Sequence, residues 1–175
     1  MNKALNAKLK KIKLLVMDVD GVLTDGKIVV DAQGKELKFF DVQDGFGIVL
    51  LRQAGIKTAI ISARSSPALT ARAKDLKIDK ICQDAYPKTN AYERLIQELG
   101  YADAQVCFMG DDLPDLPVLK RVGFAVAVPN AVDELKKVAH YITIRRGGAG
   151  AVREVVELIL KAQGTWKDIV AQQMG

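Results

Sequence analysis

The feature that most constrains the fold of this 175-residue chain is a regular alternation of short apolar runs with longer amphipathic segments. The apolar runs have the length of buried strands and cover residues 12–17, 58–61, 78–82, 106–109, 124–128 and 141–144. Apolar residues recur at helical spacing in residues 45–54, 67–76, 89–99, 131–139 and 150–162. This alternation predicts an α/β fold, a three-layer, Rossmann-like parallel sheet with helices on both faces.

A β-hairpin is predicted to interrupt this alternation directly after the first strand. Two strand-like runs, residues 27–30 and 36–40, flank the turn-forming sequence Asp31-Ala32-Gln33-Gly34. An isolated two-stranded ribbon is marginally stable in water. We therefore expect the hairpin to pack against another copy of the chain, which predicts a homo-oligomer.

The length fits one domain, predicted over residues 1–163, with residues 164–175 as a C-terminal tail. The tail carries the single tryptophan, Trp166, and is expected either to fray or to dock on a neighbouring subunit. Every apolar run is too short for a signal-peptide core or a membrane span. A cytoplasmic protein without a membrane partner is therefore expected.

The net charge of +5 comes largely from a lysine-rich N-terminus. No stacking aromatic residue is interleaved with the lysines of residues 3–13, so no nucleic-acid partner is predicted. A solvated basic helix end explains the cluster, and a weak positive field that attracts anionic substrates is the alternative.

The residue types available for catalysis are limited. His140 is the single histidine, which argues against histidine metal sites and a serine triad. Cys82 and Cys107 lie in apolar runs and are expected to be buried free thiols. Any catalysis must therefore use carboxylates, lysine and hydroxyl groups.

Polar residues directly follow several of the predicted strands. In open parallel sheets, ligands bind at the carboxyl ends of the strands, so these positions are candidate functional residues. The candidates are Asp18 and Asp20 after the first strand, Ser62 and Arg64 after residues 58–61, Lys88 at the start of a helix, and Asp111 and Asp112 after residues 106–109.

The aspartates among these candidates predict a cation site. One aspartate at a strand end is readily explained as a helix cap or a turn former. Several of them in one partly dry cleft would repel each other strongly without a cation. The group consists of Asp18, Asp20, Asp111, Asp112 and Asp115. Oxygen ligands and few carboxylates suit Mg²⁺, which we predict as the cofactor.

Magnesium, carboxylates and a lysine together indicate phosphoryl transfer. The chain has no Walker loop, so an aspartate nucleophile is the most economical route. Asp18 is the candidate nucleophile, and Asp20 is the candidate acid that protonates the leaving alcohol and later activates water. Ser62 and Lys88 are expected to hold the phosphoryl oxygens.

Four sequence motifs resemble those of the haloacid dehalogenase superfamily. They are DVDGVLT at 18–24, ISAR at 61–64, Lys88, and GDDLPD at 110–115. The segments DGKIVVDAQGKELKFFDVQDGFGI, 83–88 and GGAGAVREVVELIL are similar to a cap-less subgroup of sugar-acid phosphatases. The resemblance implies the haloacid dehalogenase fold without a cap domain, Mg²⁺, and a homotetramer whose hairpins pair across subunits and whose neighbours close the active site.

The resemblance also implies residue roles. Asp18, Asp20 and Asp111 match the metal ligands, with Asp20 ligating through its backbone carbonyl. Ser62 and Lys88 match the phosphoryl binders, while Asp112 and Asp115 match acidic positions around the metal site. The expected substrate-binding residues are Asp20, Asp41, Asp44, Gly45, Arg64, Arg72 and Lys88. A guanidinium fork suits a carboxylate or a phosphate, although both arginines could also be ordinary surface residues.

The implied substrate is a small sugar-acid phosphate, 3-deoxy-D-manno-octulosonate 8-phosphate, a precursor in lipopolysaccharide synthesis. This chain departs from the family pattern at Asp41, where asparagine is usual, and at Gln43, Val49 and Ala149, where arginine is usual. Since cationic donors near the sugar are lost, nonulosonate 9-phosphates or a broader range of sugar phosphates are alternative substrates.

Two non-enzymatic alternatives use similar residues. A receiver-type signalling domain has a strand-end aspartate, an acidic magnesium site, a hydroxyl and a lysine, but does not need a proton donor such as Asp20. A regulatory domain that has kept the fold without activity is the other. The presence of Asp18, Asp20, Lys88 and Asp111 argues against it.

Overall fold

The computed structural model describes residues 3–173 and contains two sheets. The strands are β1 Leu14–Met17, β2 Val29–Val30, β3 Glu36–Leu37, β4 Lys57–Ile61, β5 Lys80–Cys82, β6 Val106–Gly110, β7 Phe124–Ala127 and β8 Tyr141–Ile142. Six of them form one sheet in the order β5-β4-β1-β6-β7-β8, in which every neighbouring pair is parallel. The predicted α/β fold with a parallel sheet is confirmed.

The helices of residues 3–173 are α1 Lys3–Leu9, α2 Val42–Gln53, α3 Pro67–Asp75, α4 Lys88–Leu99, α5 Leu116–Leu119, α6 Asp133–Val138, α7 Ala151–Ala162 and α8 Trp166–Gln173. Helix α7 contacts α1, α2 and α8, whereas α5 contacts α4 and α6. All residues of β1, β6 and β7 are buried, which requires cover on both faces of the sheet.

The hairpin forms where the sequence predicts it, with shorter strands. Strands β2 and β3 are antiparallel, with Val29 opposite Leu37 and Val30 opposite Glu36. Asp31 Oδ1 accepts hydrogen bonds from the backbone N–H groups of Gln33 at 2.9 Å and Lys35 at 2.8 Å. The aspartate therefore closes the turn through its side chain, as turn aspartates commonly do.

Two element boundaries differ from the sequence prediction because side chains bind the backbone. Helix α2 begins at Val42 and not at residue 45, since Asp41 Oδ1 caps it by accepting from the N–H of Asp44 at 3.0 Å. Strand β8 ends at Ile142 and not at residue 144. Glu154 accepts hydrogen bonds from the N–H groups of Ile144 and Arg145, both at 2.9 Å, which ends the strand ladder there.

The predicted tail contains α8, which packs on α7 of the same chain. Ile169 is buried, and the Trp166 ring lies beneath two cations, with Arg153 Cζ at 5.5 Å and Lys161 Nζ at 5.2 Å from its centroid. The domain boundary at residue 163 stays a prediction. None of the helices in residues 3–173 combines the length and the apolar character needed to cross a bilayer.

Candidate active site

A cleft of about 260 Å³ lies at the carboxyl ends of the central strands. In the sheet β1 lies between β4 and β6, so the residues that follow these three strands come to one edge. Asp18 extends this register, since its N–H donates to the carbonyl of Met109 at 3.0 Å. The predicted site residues that line the cleft are Asp18, Asp20, Ser62, Arg64, Lys88, Asp111, Asp112 and Asp115.

Three carboxylates form the centre of the site around one lysine. Asp18, Asp111 and Asp115 each offer an oxygen within 4.8 Å of the others. The buried Lys88 Nζ lies 2.7 Å from Asp18 Oδ1 and 2.5 Å from Asp115 Oδ1. A single cation therefore faces three carboxylates, which leaves an excess of negative charge.

The electrostatics of this cluster follow from burial and from like charges. Burial raises the pKa of Asp111 to about 8, and the carboxylates of Asp18 and Asp115 add to this shift. Burial and Asp18 raise the pKa of Asp115 to about 6, against the effect of Lys88. Burial opposes the charge of Lys88, but Asp18 and Asp115 outweigh it and raise its pKa. A further cation would relieve this repulsion.

Asp115 organises the loop that follows β6. Its Oδ2 accepts hydrogen bonds from the N–H groups of Asp111 at 3.0 Å and Asp112 at 3.3 Å. Both oxygens of this almost fully buried carboxylate are thus engaged, one by the backbone and one by Lys88. Asp115 therefore holds Asp111 in place.

The donor set fits Mg²⁺. Asp111 Oδ1 is buried and accepts no hydrogen bond from any residue in 3–173. A buried carboxylate oxygen without a partner is costly, and the Asp111 carboxylate lies in one cluster with Asp18, another hard oxygen donor. Hard oxygen ligands in a cleft open to water are what Mg²⁺ prefers. The carboxylate of Asp20 does not belong to this cluster, so the predicted ligation by Asp20 rests on its backbone carbonyl alone and stays a prediction.

Gly21 allows the first and fourth motifs to meet. Its φ is +95°, and a Cβ at this position would lie 2.0 Å from Asp111 Oδ2. The backbone is held by Asn130, whose Nδ2 donates to the Gly21 carbonyl at 2.8 Å while its Oδ1 accepts from the N–H of Gly147 at 2.9 Å. Asn130 was not among the residues predicted from the sequence, although its position shortly after residues 124–128 matches the strand-end rule that identified the other candidates.

Ser62 and Arg64 reach the cleft from the end of β4. The N–H of Ser62 donates to the carbonyl of Cys82 at 2.8 Å, and Ser62 Oγ accepts from the N–H of Arg64 at 3.2 Å. The buried hydroxyl lines the cleft together with Asp18 and Lys88. A phosphoryl group in the cleft would therefore meet one hydroxyl and one ammonium group.

Asp20 is held by two cations, one of which, Lys38, was not predicted from the sequence. Lys38 Nζ forms an ion pair with Asp20 Oδ1, and Arg64 Nε lies 3.6 Å from Asp20 Oδ2. Glu36 joins both cations, through Lys38 Nζ at 2.7 Å and through Arg64 Nη2. Glu36 and Lys38 are two residues apart in an extended segment, a spacing that places both side chains on one face and could have identified them.

The remaining predicted substrate residues do not line this cleft, since Asp41, Asp44, Gly45 and Arg72 lie around the start of α2. Arg72 Nη1 pairs with Asp75 at 2.8 Å, and a Cβ at Gly45 would lie 2.2 Å from Arg72 Nη2. Their role in substrate binding stays a prediction.

Asp44 serves the packing of two helices. Its oxygens accept hydrogen bonds from the N–H groups of Arg153 at 2.7 Å and Gly150 at 3.2 Å, at the start of α7. The carboxylate is almost fully buried, and burial raises the pKa of Asp44 to about 6, with a contribution from Asp41. A carboxylate at a helix N-terminus stabilises the exposed N–H groups, so Asp44 joins α2 to α7.

Gln43, one of the departures from the family pattern, has a guanidinium beside it. Its Oε1 accepts a hydrogen bond from Arg145 Nη1 at 2.6 Å. Relative to the family pattern, Gln43 is the loss of a cation, but Arg145 supplies one to the same region from the loop after β8. Distant pairs of this kind, 102 residues apart, leave no signal in local sequence patterns.

Comparison with known proteins gives a consistent set of relatives. A family model for haloacid dehalogenase-like hydrolases matches residues 79–154. A 3-deoxy-D-manno-octulosonate 8-phosphate phosphatase from Yersinia pestis is 47% identical, over 87% of this chain and 81% of its own length. A protein of the same name from Escherichia coli K12 is 42% identical, over 96% of this chain and 89% of its own length.

A solved structure has the same fold throughout. It is a 3-deoxy-D-manno-octulosonate 8-phosphate phosphatase from Moraxella catarrhalis in complex with magnesium ion, phosphate ion and KDO. The two structures align with a TM-score of 0.96 at 45% identity, over 98% of this chain and 99% of the other.

Proposed function

Since this chain belongs to the haloacid dehalogenase-like hydrolases, we propose that it hydrolyses 3-deoxy-D-manno-octulosonate 8-phosphate to the free sugar acid and phosphate. The observation that carries this proposal is the convergence of Asp18, Lys88 and Asp111 at one sheet edge. The relatives that bear this activity in their names match nearly the whole chain, and one of them was solved with magnesium, phosphate and KDO.

Binding of the phosphoryl group is the first task of the site. Ser62 Oγ and Lys88 Nζ hold its oxygens, while Asp18 and Asp111, with the Asp20 backbone carbonyl, would hold Mg²⁺. When bound, Mg²⁺ neutralises charge on the phosphoryl oxygens and lets the anionic nucleophile approach. Asp115 keeps Lys88 and Asp111 in their places through its ion pair and its backbone hydrogen bonds.

Transfer to the protein comes next. An Asp18 carboxylate oxygen forms a bond to phosphorus as the bond from phosphorus to the sugar oxygen breaks. Asp20 gives its proton to that oxygen, so the sugar acid leaves as an alcohol. The product on the chain is an aspartyl phosphate at Asp18.

Hydrolysis then regenerates the site. The oxygen of a water molecule attacks phosphorus, one of its protons passes to Asp20, and the bond from phosphorus to Asp18 breaks. Inorganic phosphate is released, Asp18 is again a carboxylate, and Asp20 again carries a proton. The same residue acts first as an acid and then as a base, which returns the site to its starting state.

The test is phosphate release by purified protein with Mg²⁺. We expect turnover of 3-deoxy-D-manno-octulosonate 8-phosphate with a higher kcat/KM than for a nonulosonate 9-phosphate. The Asp18→Asn variant should be inactive with both, because the amide is a poor nucleophile. Higher kcat/KM for the 9-phosphate would transfer the assignment to that substrate, and activity of Asp18→Asn equal to the wild type would refute the mechanism.

The assembly and location belong to the same proposal. We infer a cap-less homotetramer, supported by the exposed apolar side chains of Val30, Leu37 and Phe39 on the hairpin. The free thiols of Cys82 and Cys107 suit a cytoplasmic enzyme, where lipopolysaccharide precursors would be its substrates.

A further inference from the structure

We propose that Lys38 is a positioning residue that orients the carboxylate of Asp20 towards the leaving group of the substrate. The inference rests on the proposed function, in which Asp20 moves the proton. It assigns a catalytic task to the β-hairpin of the same chain.

Lys38 is placed to hold Asp20 and not to touch substrate. Its side chain is only 3% exposed, and it does not line the cleft, whereas Arg64 is 48% exposed and does. Both cations contact Asp20, but on different oxygens, Lys38 on Oδ1 and Arg64 on Oδ2. Arg64 is therefore accessible to a ligand, while Lys38 contacts the Asp20 carboxylate without lining the cleft.

The position of Lys38 is itself fixed by the hairpin. Alternation along an extended strand places Glu36 and Lys38 on one face and Leu37 and Phe39 on the other. Lys38 contacts Asp20 and Glu36 contacts Lys38, whereas Leu37 and Phe39 are exposed. Glu36 Oε1 lies 2.7 Å from Lys38 Nζ, so the ammonium is shared between two carboxylates. This arrangement keeps the lysine from rotating away from Asp20.

The arrangement selects one oxygen of Asp20 for chemistry. Because Lys38 engages Oδ1, the rotamer of Asp20 is restrained and Oδ2 remains for the leaving oxygen or the attacking water. Arg64 Nε, at 3.6 Å from Oδ2, is beyond hydrogen-bonding distance and does not block it. Correct orientation of a proton donor is worth a large factor in rate, and a misplacement of about 1 Å can cost about 100-fold.

The test uses two aryl phosphates that differ in how much their leaving group needs a proton. p-Nitrophenolate leaves readily without one, whereas the phenolate of phenyl phosphate is a poorer leaving group. For Lys38→Met we expect kcat/KM to fall about tenfold or more further for phenyl phosphate than for p-nitrophenyl phosphate, since general acid catalysis contributes about 100-fold or more. Neither ester carries a carboxylate, so any contact that Arg64 makes with a sugar acid does not affect the ratio of the two kcat/KM values.

Further variants distinguish the positioning role of Lys38 from a loss of folding and from a general loss of positive charge. Lys35→Met removes the same charge from an exposed site in the same hairpin and should keep the wild-type ratio of the two esters. Lys38→Arg keeps a cation beside Asp20 and should return the ratio towards that of the wild type. If Lys38→Met does not fold, Glu36→Gln, which loosens Lys38 without removing it, should shift the ratio in the same direction.

The role of Lys38 would be overturned if a folded Lys38→Met variant lost kcat/KM equally for the two esters. Where Lys38→Met does not fold, an unchanged ratio in Glu36→Gln would overturn it in the same way. Neither result would count against the phosphatase activity. Wild-type protein that releases phosphate from neither these esters nor the sugar-acid phosphate would refute the proposed function itself, and the role of Lys38 with it.

Discussion

At the scale of single residues, Gly21 decides whether two motifs 90 residues apart in the chain can share a site. Its positive φ is available to glycine at low cost, and its missing side chain leaves room for Asp111. A left-handed backbone alone would explain a glycine. The close approach of Asp111 adds a second, independent reason for it.

We predict that Gly21→Ala lowers kcat/KM by about 100-fold, because a Cβ 2.0 Å from Asp111 Oδ2 must displace that carboxylate. Gly34→Ala is the matched control, since Gly34 also has a positive φ of +78° but no atom within 4 Å of its Cβ position. Both variants carry the backbone cost of about 1–2 kcal/mol. Steady-state kinetics would contradict the prediction if both variants lost activity equally.

Asp111 is the residue where function and stability conflict. Its pKa of about 8 lies far above its ordinary value, so its stabilising contribution is complete below pH 4 and is lost as the pH rises through 8. At neutral pH without Mg²⁺, Asp111 therefore costs stability, because the folded protein holds it mainly protonated while the unfolded chain would ionise it.

We predict that Asp111→Asn raises the Tm of metal-free protein at pH 7.5, because the amide is neutral in the folded and the unfolded state, whereas burial and the carboxylates of Asp18 and Asp115 oppose ionisation of Asp111 in the folded state alone. Wild-type protein should gain about 2.7 kcal/mol when Mg²⁺ is present at a hundred times its Kd, and the variant should lose this gain. Asp133→Asn, at an exposed position on α6, should behave as wild type in both conditions. Thermal unfolding with EDTA and with Mg²⁺ measures both effects, and a lower metal-free Tm for Asp111→Asn would contradict the account.

At the scale of elements, the joint between α2 and α7 depends on Asp44. Its carboxylate binds the start of α7, while Asp41 caps the start of its own helix, α2. A Cβ at Gly47 would lie 3.3 Å from the Arg153 Cα, so the two helices also approach closely there. The sequence Asp44-Gly45-Phe46-Gly47 thus has a packing explanation in this chain.

We predict that Asp44 makes the joint sensitive to pH. Because its pKa is raised to about 6, its contribution is complete below about pH 4 and is lost as the pH rises through 6. The Tm of Asp44→Asn minus that of the wild type should therefore become more positive between pH 4 and pH 7. Asp168→Asn, an exposed carboxylate on α8, should give a constant difference, and a constant difference for Asp44→Asn would exclude the proposed linkage.

How far the sequence predicts an element depends on where its interactions come from. The buried runs of β1, β4 and β6 and the polar residues that follow them were predictable, since burial and the strand-end rule act locally. The end of β8 was not, because Glu154 on α7 takes its backbone groups. Lys38 was not recognised either, since a hairpin lysine looks like a solvated charge until its contact with Asp20 is known.

At the scale of the whole molecule, the hairpin connects the catalytic cleft with the outer surface. On its inner face Lys38 contacts Asp20, and Glu36 contacts Lys38. Its outer face carries Leu37 and Phe39, which are exposed in the single chain. Apolar groups on one side of an otherwise marginal ribbon are well explained by a subunit contact. Assembly and the orientation of Asp20 would then depend on the same two strands.

We predict that Phe39→Asp dissociates the oligomer, because a charge replaces a side chain that is 68% exposed in the single chain and buried in the assembly we propose. Light scattering coupled to gel filtration should show the wild type at a multiple of 19.1 kDa and the variant at a smaller mass. Lys35→Glu, at an exposed position of the same hairpin, is the control and should assemble normally. Wild-type protein at monomer mass would rule out the hairpin contact. Dissociation with full kcat/KM retained would show instead that neighbouring subunits are not needed to hold the hairpin against Asp20.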